Sequence, residues 1–112
     1  MSAQIATTIL AQLGGGNRLK MMIGAKDFTA LEVDGKPALS FKFKMSKKYN
    51  YIVIALNAMD LYDITFKKMK SPMQILKEDV YQPFTREDTQ SDIYAEDMRS
   101  TIEQATGLYL SL

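Results

Sequence analysis

The sequence of 112 residues contains no histidine, no cysteine and no tryptophan. A Ser-His-Asp triad, a cysteine nucleophile, a Cys/His zinc site and an iron–sulfur cluster each need one of the first two residue types, so all four are excluded. Histidine is also the usual proton shuttle near neutral pH, and any acid–base chemistry would fall to Asp, Glu, Lys or Tyr. We therefore expect a protein that is not an enzyme and uses no cofactor.

Three absences bear on location. Without cysteine there is no disulfide framework of the kind found in small secreted proteins. No run approaches the roughly 18–20 apolar residues of a membrane span. The first thirteen residues lack the basic start of a signal peptide, and Gln4 and Thr7 interrupt their apolar positions. The sequence thus predicts a cytoplasmic protein without membrane contact, folded as a single domain over residues 1–112.

An N-terminal helix is the first element that the sequence predicts. Ile5, Ile9 and Leu13 recur at helical spacing, and the three glycines at 14–16 end the run. A phosphate-binding loop is the sharper interpretation of those glycines. It requires a Lys-Ser or Lys-Thr pair at its end, whereas Asn17-Arg18 follows here. A helix end and turn is the better interpretation.

From Arg18 to Met69 the apolar residues alternate with polar ones, which is typical of strands. Asp34-Gly35 has the chemistry of a tight hairpin turn. Tyr51–Leu56 is apolar throughout, as expected of a central strand covered on both faces. The short links favour an antiparallel meander. Predicted strand positions are Leu19, Met21, Ile23; Phe28–Val33; Leu39, Phe41, Phe43, Met45; Tyr51–Leu56; and Tyr62, Ile64, Phe66.

The last third of the chain predicts an irregular docked segment and a second helix. Residues 71–91 contain two prolines, and we expect a packed loop with a short edge strand near Met73–Lys77. A helix capped by Ser91 or Asp92 then ends at Gly107, followed by an alternating strand or tail at Leu108–Leu112. The apolar stripe of this helix is Tyr94, Met98, Ile102 and Ala105. The prediction is an α+β domain of order α-β-β-β-β-α, with an antiparallel sheet of about 4–5 strands.

The net charge of +1 hides an asymmetry along the chain. Residues 17–77 hold twelve basic and five acidic side chains, whereas residues 78–112 hold two basic and eight acidic ones. In one interpretation, a basic sheet face binds nucleic acid, with lysines holding phosphates and Tyr51 stacking on a base. The residues predicted to form that site are Lys20, Lys42, Lys44, Tyr51 and Lys67.

A second interpretation gives the same lysines no ligand. They then form the solvated side of an ordinary sheet, where edge lysines also discourage aggregation. The acidic second helix would cancel their field if it lay against them. The pI of about 7.9 is below the range above 9 that is typical of a committed nucleic-acid binder.

Two groups of mostly acidic residues suggest a metal-binding site as a further hypothesis. One group surrounds a turn and another lies near the second helix, but neither has the spacing of a calcium-binding loop. Asn and Asp are favoured in turns, and acids at a helix start complement its dipole. The sequence therefore predicts no metal site. The two groups are Asn57, Asp60, Asp63; and Glu87, Asp88, Asp92, Glu96, Asp97.

The eight methionines leave open a function in protein binding. Met21, Met45 and Met98 fall on apolar stripes and are predicted to lie in the core. Four other methionines would form an adaptable surface that binds a protein partner. Leu108–Leu112 would then add a strand to the sheet of that partner. The runner-up hypothesis is thus an inhibitor of a host protein or an oligomeric assembly protein. The surface methionines are Met22, Met59, Met69 and Met73.

Several runs resemble a family of small uncharacterised proteins of phage, prophage and plasmid genomes. They are Ile9-Leu10-Ala11-Gln12-Leu13-Gly14-Gly15, Met22-Ile23-Gly24-Ala25-Lys26-Asp27-Phe28, Leu39-Ser40-Phe41-Lys42-Phe43, Ile54-Ala55-Leu56-Asn57-Ala58-Met59-Asp60-Leu61-Tyr62-Asp63 and Thr106-Gly107-Leu108-Tyr109. The resemblance spans most of the chain and departs from the pattern chiefly in the longer acidic stretch Thr85–Ser91. It implies no activity, but it implies a setting: an accessory protein of a mobile element in a bacterial host.

Overall fold

The computed structural model describes residues 2–44, 46, 48–70 and 84–108. In this part of the chain, two helices precede a five-stranded antiparallel sheet, and one helix follows it. The α+β prediction, with helices at both ends, is confirmed. The elements are α1 (Ser2–Gln12), α2 (Gly16–Ile23), β1 (Lys26–Val33), β2 (Lys36–Lys42), β3 (Tyr51–Leu56), β4 (Tyr62–Met69), β5 (Phe84–Ile93), a 3₁₀ turn (Ala95–Asp97) and α3 (Met98–Thr106).

Helix α2 corrects the prediction of a strand around Leu19, Met21 and Ile23. Leu19 and Ile23 are both buried, which a run of alternating residues and one turn of helix satisfy equally well. Gly15 precedes the helix, and Gly24 ends it in the left-handed conformation (φ 67°). Met21, predicted in the core, is 82% exposed because the helix turns it away from the sheet.

The strands form a meander in the order β1-β2-β3-β4-β5, as predicted. Strand β3 lies at the centre of the described sheet, and its residues 52–55 are buried on both faces. The core stripe predicted for β2 is correct, since Leu39, Phe41 and Phe43 are all buried, but Ser40 between them is buried as well, so β2 does not alternate between buried and exposed residues. Met45, placed on the same stripe, lies outside the described residues.

Strand β5 corrects the prediction for the acidic stretch. Residues 84–91 were predicted to be irregular, and a helix was predicted to begin at Ser91 or Asp92. Instead, these residues pair with β4 as a strand that continues to Ile93. Local acidity favours a helix start, but pairing along an exposed edge decides the conformation. The rest of the predicted irregular segment, with its edge strand near Met73–Lys77, lies outside the described residues.

Helix α3 is therefore shorter than predicted, although its apolar stripe is largely correct. Met98 and Ile102 are buried, and Ala105 packs against the same core. Tyr94 precedes the helix and is 58% exposed. Gly107 ends the helix in the left-handed conformation, as predicted. Of the predicted tail Leu108–Leu112, only Leu108 is described, and it packs against the core.

One face of the sheet carries the main core and all three described helices. Side chains from α1, α2 and α3 pack there with the alternate residues of β2, β3 and β4, including Phe41, Ile52 and Phe66. The other face has a smaller apolar cluster of Ala38, Val53 and Ala55, which the described helices do not join. No helix in the described part of the chain is long and apolar enough to cross a membrane.

Candidate nucleic-acid interface

A row of side chains crosses the sheet on the face opposite the helices. Lys42 pairs with Tyr51 on the next strand, and Tyr51 pairs with Lys67 on the strand after that. Residues paired across strands point to the same face. Three of the residues predicted to bind nucleic acid therefore share one face. We call this set the lysine row: Lys26, Lys42, Tyr51 and Lys67.

The position of α3 bears directly on this row. An acidic C-terminal helix that lay over the basic face would cancel the field of the lysines. In the structure, Met98 and Ile102 of α3 pack into the main core, together with Phe41 and Phe66. Because Lys42 and Lys67 follow Phe41 and Phe66 in their strands, they point away from α3. Helix α3 therefore does not cover the row.

Ion pairs instead offset part of the charge of the row. The Lys42 Nζ lies 3.6 Å from a carboxylate oxygen of Asp27, and the Lys67 Nζ lies 3.8 Å from one of Glu87. Both carboxylates are more than half exposed. Exposed pairs of this kind contribute about 0–1 kcal/mol. They therefore present little obstacle to exchanging a carboxylate for a phosphate.

Tyr51 already has an aromatic partner within the chain. Its ring stacks on Phe84 of β5, with centroids 6.2 Å apart and planes at 22°. The Lys67 ammonium lies 4.5 Å from the centroid of the same Phe84 ring. Phe84 thus holds Tyr51 and Lys67 in place at the start of β5.

A depression of about 360 Å³ opens at the end of the sheet beside the row. In an antiparallel meander, odd strands begin where even strands end, so residues far apart in sequence meet there. The described lining contains four lysines and no carboxylate. We call it the lysine pocket, lined by Lys26, Lys42, Phe43, Lys44, Asn50, Met69 and Lys70.

Lys44 is positioned by the end of α2. Its backbone N–H donates to the Ile23 carbonyl at 2.8 Å, and its side-chain stem packs closely over Gly24. Asn50 forms a fixed wall of the pocket: its amide donates to the Met69 carbonyl at 3.2 Å and accepts from the Met69 N–H at 2.7 Å. Two residues of the pocket lining, Lys44 and Asn50, are therefore held in place by contacts with the backbone of neighbouring elements.

The structure brings together four of the five residues predicted at the site. Lys42, Tyr51 and Lys67 form the row, and Lys44 joins Lys42 in the pocket. Lys20 lies on α2, an element that the sequence predicted to be a strand, and it lines neither arrangement. The residues missed were Lys26 and Lys70. Their position at a strand start and just beyond a strand end was the available signal, since both lie at one end of a meander.

The opposite end of the sheet gathers carboxylates around Asn57. Its amide donates to Asp63 at 3.1 Å and to Asp92 at 2.9 Å, while its oxygen accepts from the backbone of Met59 and Leu61. Burial by itself would raise the pKa of Asp63. Hydrogen bonds from the Asp92 N–H and Asn57, together with the Lys36 charge 3.5 Å away, outweigh burial and lower it.

These contacts give the carboxylates of the turn a structural role. Asn57 and the Asp92 N–H both donate to Asp63, so they fasten the turn after β3 to the end of β5. Among the described residues, no group of three or more Asp, Glu, His or Cys side chains is arranged to hold a metal ion.

No protein-family model, curated protein or solved structure matches the chain. The resemblance to proteins of phage and plasmid genomes accordingly stays a prediction. The candidate interface rests on its own geometry, which is the convergence of lysines at one end of the sheet.

Proposed function

We propose that the protein is a non-enzymatic accessory protein of a phage or mobile element, and that it binds nucleic acid through the basic end of its sheet. The observation that carries the binding proposal is the lysine pocket together with the row beside it. Lys26 and Lys42 belong to both. The bacterial, cytoplasmic setting rests on the sequence resemblance alone.

Electrostatics favours a phosphate backbone as the ligand. Lys26 and Lys44 make no ion pair within the described chain, and the partners of Lys42 and Lys67 are exposed carboxylates. Binding a phosphate at each lysine releases counterions, which supplies most of the affinity of sequence-independent binding. Lysine is a compact point charge, so this surface would read the backbone rather than base edges.

Single strands fit the row better than duplexes do. Tyr51 is the one aromatic residue of the row, and single-strand binders pair lysines with aromatic rings on which bases stack. Phe84 holds the Tyr51 ring from one side. In this proposal Lys42 and Lys67 flank a base that contacts Tyr51, and the pocket takes the adjoining phosphates.

The test is fluorescence anisotropy with labelled single- and double-stranded oligonucleotides over a salt series. If four lysines each contact one phosphate, log affinity should fall with log salt with a slope of roughly −3 for a single strand. Lys44→Gln should lower the magnitude of that slope by about 0.7, whereas Lys20→Gln on α2 should leave it unchanged. Absence of binding at low salt, or binding insensitive to salt, would contradict the proposal.

A protein partner is the second proposal, and one observation favours it. Met21 is 82% exposed beside a depression of about 590 Å³ lined by Gly14, Asn17, Arg18, Met21 and Met22. Exposed methionines adapt to varied apolar partners. A host protein or a second copy of the chain is the expected occupant. Pull-down from host lysate and light scattering test this, with Met21→Glu expected to abolish the association and Lys44→Gln to leave it intact.

A further inference from the structure

Four lysines and no carboxylate line the lysine pocket, whereas three other depressions in the described part of the chain have at most one charged side chain in their lining. One of these four lysines, Lys42, pairs with the carboxylate of Asp27, which is 59% exposed. Like charges placed together repel each other, so an anion of high charge density stabilises this arrangement more than one of low charge density.

The size of the pocket restricts the ligand. Its volume of about 360 Å³ lies at the small end of the range of roughly 300–1,000 Å³ for sites that enclose small molecules. Buried Phe43 contributes an apolar floor. The Asn50 amide is already bonded to Met69 on both of its polar atoms. Lys26 and Lys44, which make no ion pair within the described chain, and Lys42, whose carboxylate partner is exposed, are therefore the groups that recognise the ligand.

Nucleic acids contain two kinds of phosphate group, the diester and the monoester, which differ in charge. A diester inside a strand carries one negative charge, whereas a phosphate monoester carries about −1.5 to −2 at neutral pH and offers three acceptor oxygens. Three lysines, Lys26, Lys42 and Lys44, are better matched to the monoester than to the diester. Because lysines act as point charges, they set no planar geometry for the group that they bind.

We propose that the lysine pocket binds a phosphate monoester, presented by the phosphorylated end of a single strand that lies along the lysine row. This inference rests on the proposed nucleic-acid function for its source of phosphate. A free nucleotide or inorganic phosphate offers the same chemistry. Lys26, Lys42 and Lys44 bind the terminal phosphate, and Lys67 lies on the row outside the pocket.

The experiment compares oligonucleotides of one sequence with a 5′-phosphate, a 3′-phosphate or hydroxyl ends, by anisotropy at fixed salt. One phosphorylated form should bind roughly tenfold more tightly than the hydroxyl form, as expected for one added charge-assisted contact. Lys44→Gln and Lys26→Gln should each reduce this preference. Lys67→Gln should weaken all three oligonucleotides together and keep the preference. Circular dichroism verifies that each variant is folded.

Competition with adenosine monophosphate and inorganic phosphate, and thermal shift with each, separates the sources of phosphate. Equal binding of phosphorylated and hydroxyl oligonucleotides would overturn the inference and leave the proposed function standing. Stabilisation by adenosine monophosphate that Lys44→Gln removes, without binding of any oligonucleotide, would support the pocket as a monoester site and overturn the proposed function. No response to any of these probes would overturn both.

Discussion

Asn50 ties the start of β3 to the end of β4. Its side chain makes two hydrogen bonds to the backbone of Met69, at 3.2 and 2.7 Å, and its N–H donates to the Lys67 carbonyl at 2.9 Å. A half-buried amide that satisfies a backbone donor and acceptor at once mimics a strand pair. The Asn50 side chain therefore adds hydrogen bonds between the two strand ends, beside the lysine pocket.

We expect Asn50→Ala to lower the free energy of unfolding by about 1–3 kcal/mol, because it removes both side-chain hydrogen bonds. Urea denaturation followed by circular dichroism measures the change. Gln104→Ala on the exposed side of α3 is the control, and its effect should stay within about 0.5 kcal/mol. Equal stability of the two variants would show that Asn50 does not hold the strand ends together.

Asp63 gives a pH dependence with a defined sign. Burial raises its pKa, but the bonds from the Asp92 N–H and Asn57 and the Lys36 charge lower it overall. An acid with a depressed pKa in the folded state stabilises the protein above its unfolded pKa, near 3.9. That stabilisation is lost as the pH falls through the lower folded pKa.

Asp63→Asn should therefore be less stable than the native protein near about pH 7, and the difference should shrink as the pH falls below about 4. Denaturation with urea at several pH values measures the difference. Asp34→Asn, in the exposed turn between β1 and β2, is the matched control for the removal of one carboxylate. A constant difference across the acid range would contradict the assignment.

At the scale of elements, β5 is fastened to the rest of the sheet by Tyr49 as well as by its pairing with β4. The Tyr49 hydroxyl donates to the carboxylate of Asp88 on β5, and its ring packs against Phe66 at 5.3 Å between centroids. The hydrogen bond to Asp88, together with burial, raises the pKa of Tyr49. A buried ring and an acidic strand thus stabilise each other across the sheet end.

Tyr49→Phe should cost about 1 kcal/mol at neutral pH, because the acceptor is a charged but exposed carboxylate. A tyrosine whose folded pKa is raised stabilises the protein below its unfolded pKa, near 10, and this is lost as the pH rises through the folded value. The variant should therefore approach the native protein in stability at alkaline pH. Tyr94→Phe, at an exposed ring, should behave as the native protein does in thermal denaturation.

Helix α2 depends on the glycine that ends it. Gly24 has φ 67°, and a Cβ there would meet the Cβ of Lys44 at 3.2 Å. Gly107 ends α3 at φ 74°, with open space where a Cβ would lie. Both positions strain an L residue, but only the first also displaces a residue of the lysine pocket.

We expect Gly107→Ala to lose about 1–2 kcal/mol from backbone strain alone, and Gly24→Ala to lose more because the Lys44 stem must also shift. Chemical denaturation measures both. Gly24→Ala should additionally weaken phosphate binding, whereas Gly107→Ala should not. If the two variants lose equal stability and bind alike, the contact between α2 and Lys44 has no energetic role.

At the scale of the whole molecule, the two ends of the sheet differ in the charges that they gather. One end holds Lys26, Lys42, Lys44, Lys67 and Lys70 beside the exposed carboxylates of Asp27 and Glu87, and the other end holds Asp34, Asp60, Asp63 and Asp92 beside Lys36. Because one end is basic and the other acidic, a net charge of +1 says little about the field at either end.

Two substitutions with the same change in net charge test this polarity. Lys42→Gln at the basic end should weaken oligonucleotide binding and lower the magnitude of its salt slope by about 0.7. Lys36→Gln at the acidic end should leave both quantities unchanged. Anisotropy over the salt series measures them. Equal losses would mean that total charge, rather than its position, governs binding.

The sequence predicted correctly those elements whose spacing of apolar residues fits only one type of secondary structure. The core residues Leu39 and Phe41 of β2, the apolar run of β3 and the helix stripe with Met98 and Ile102 all follow from local patterns, and these residues are buried as predicted. Leu19 and Ile23 fit a strand and a helix equally, so the wrong period was assigned to α2. For β5, pairing with β4 overrides the helix signal of its acids.

The candidate site likewise has features that the sequence predicted and features that only the structure showed. The sequence by itself established that Lys42 lies on the strand face opposite Phe41, because strand periodicity is local, whereas Lys44 lies beyond the end of β2 and packs over Gly24. It also showed that the 112 residues contain no histidine or cysteine. Only the tertiary structure decided that Lys26 and Lys70 meet Lys42 and Lys44 in one pocket and that α3 packs on the opposite face. Those facts depend on register and on the contacts of elements far apart in the chain, which no local pattern encodes.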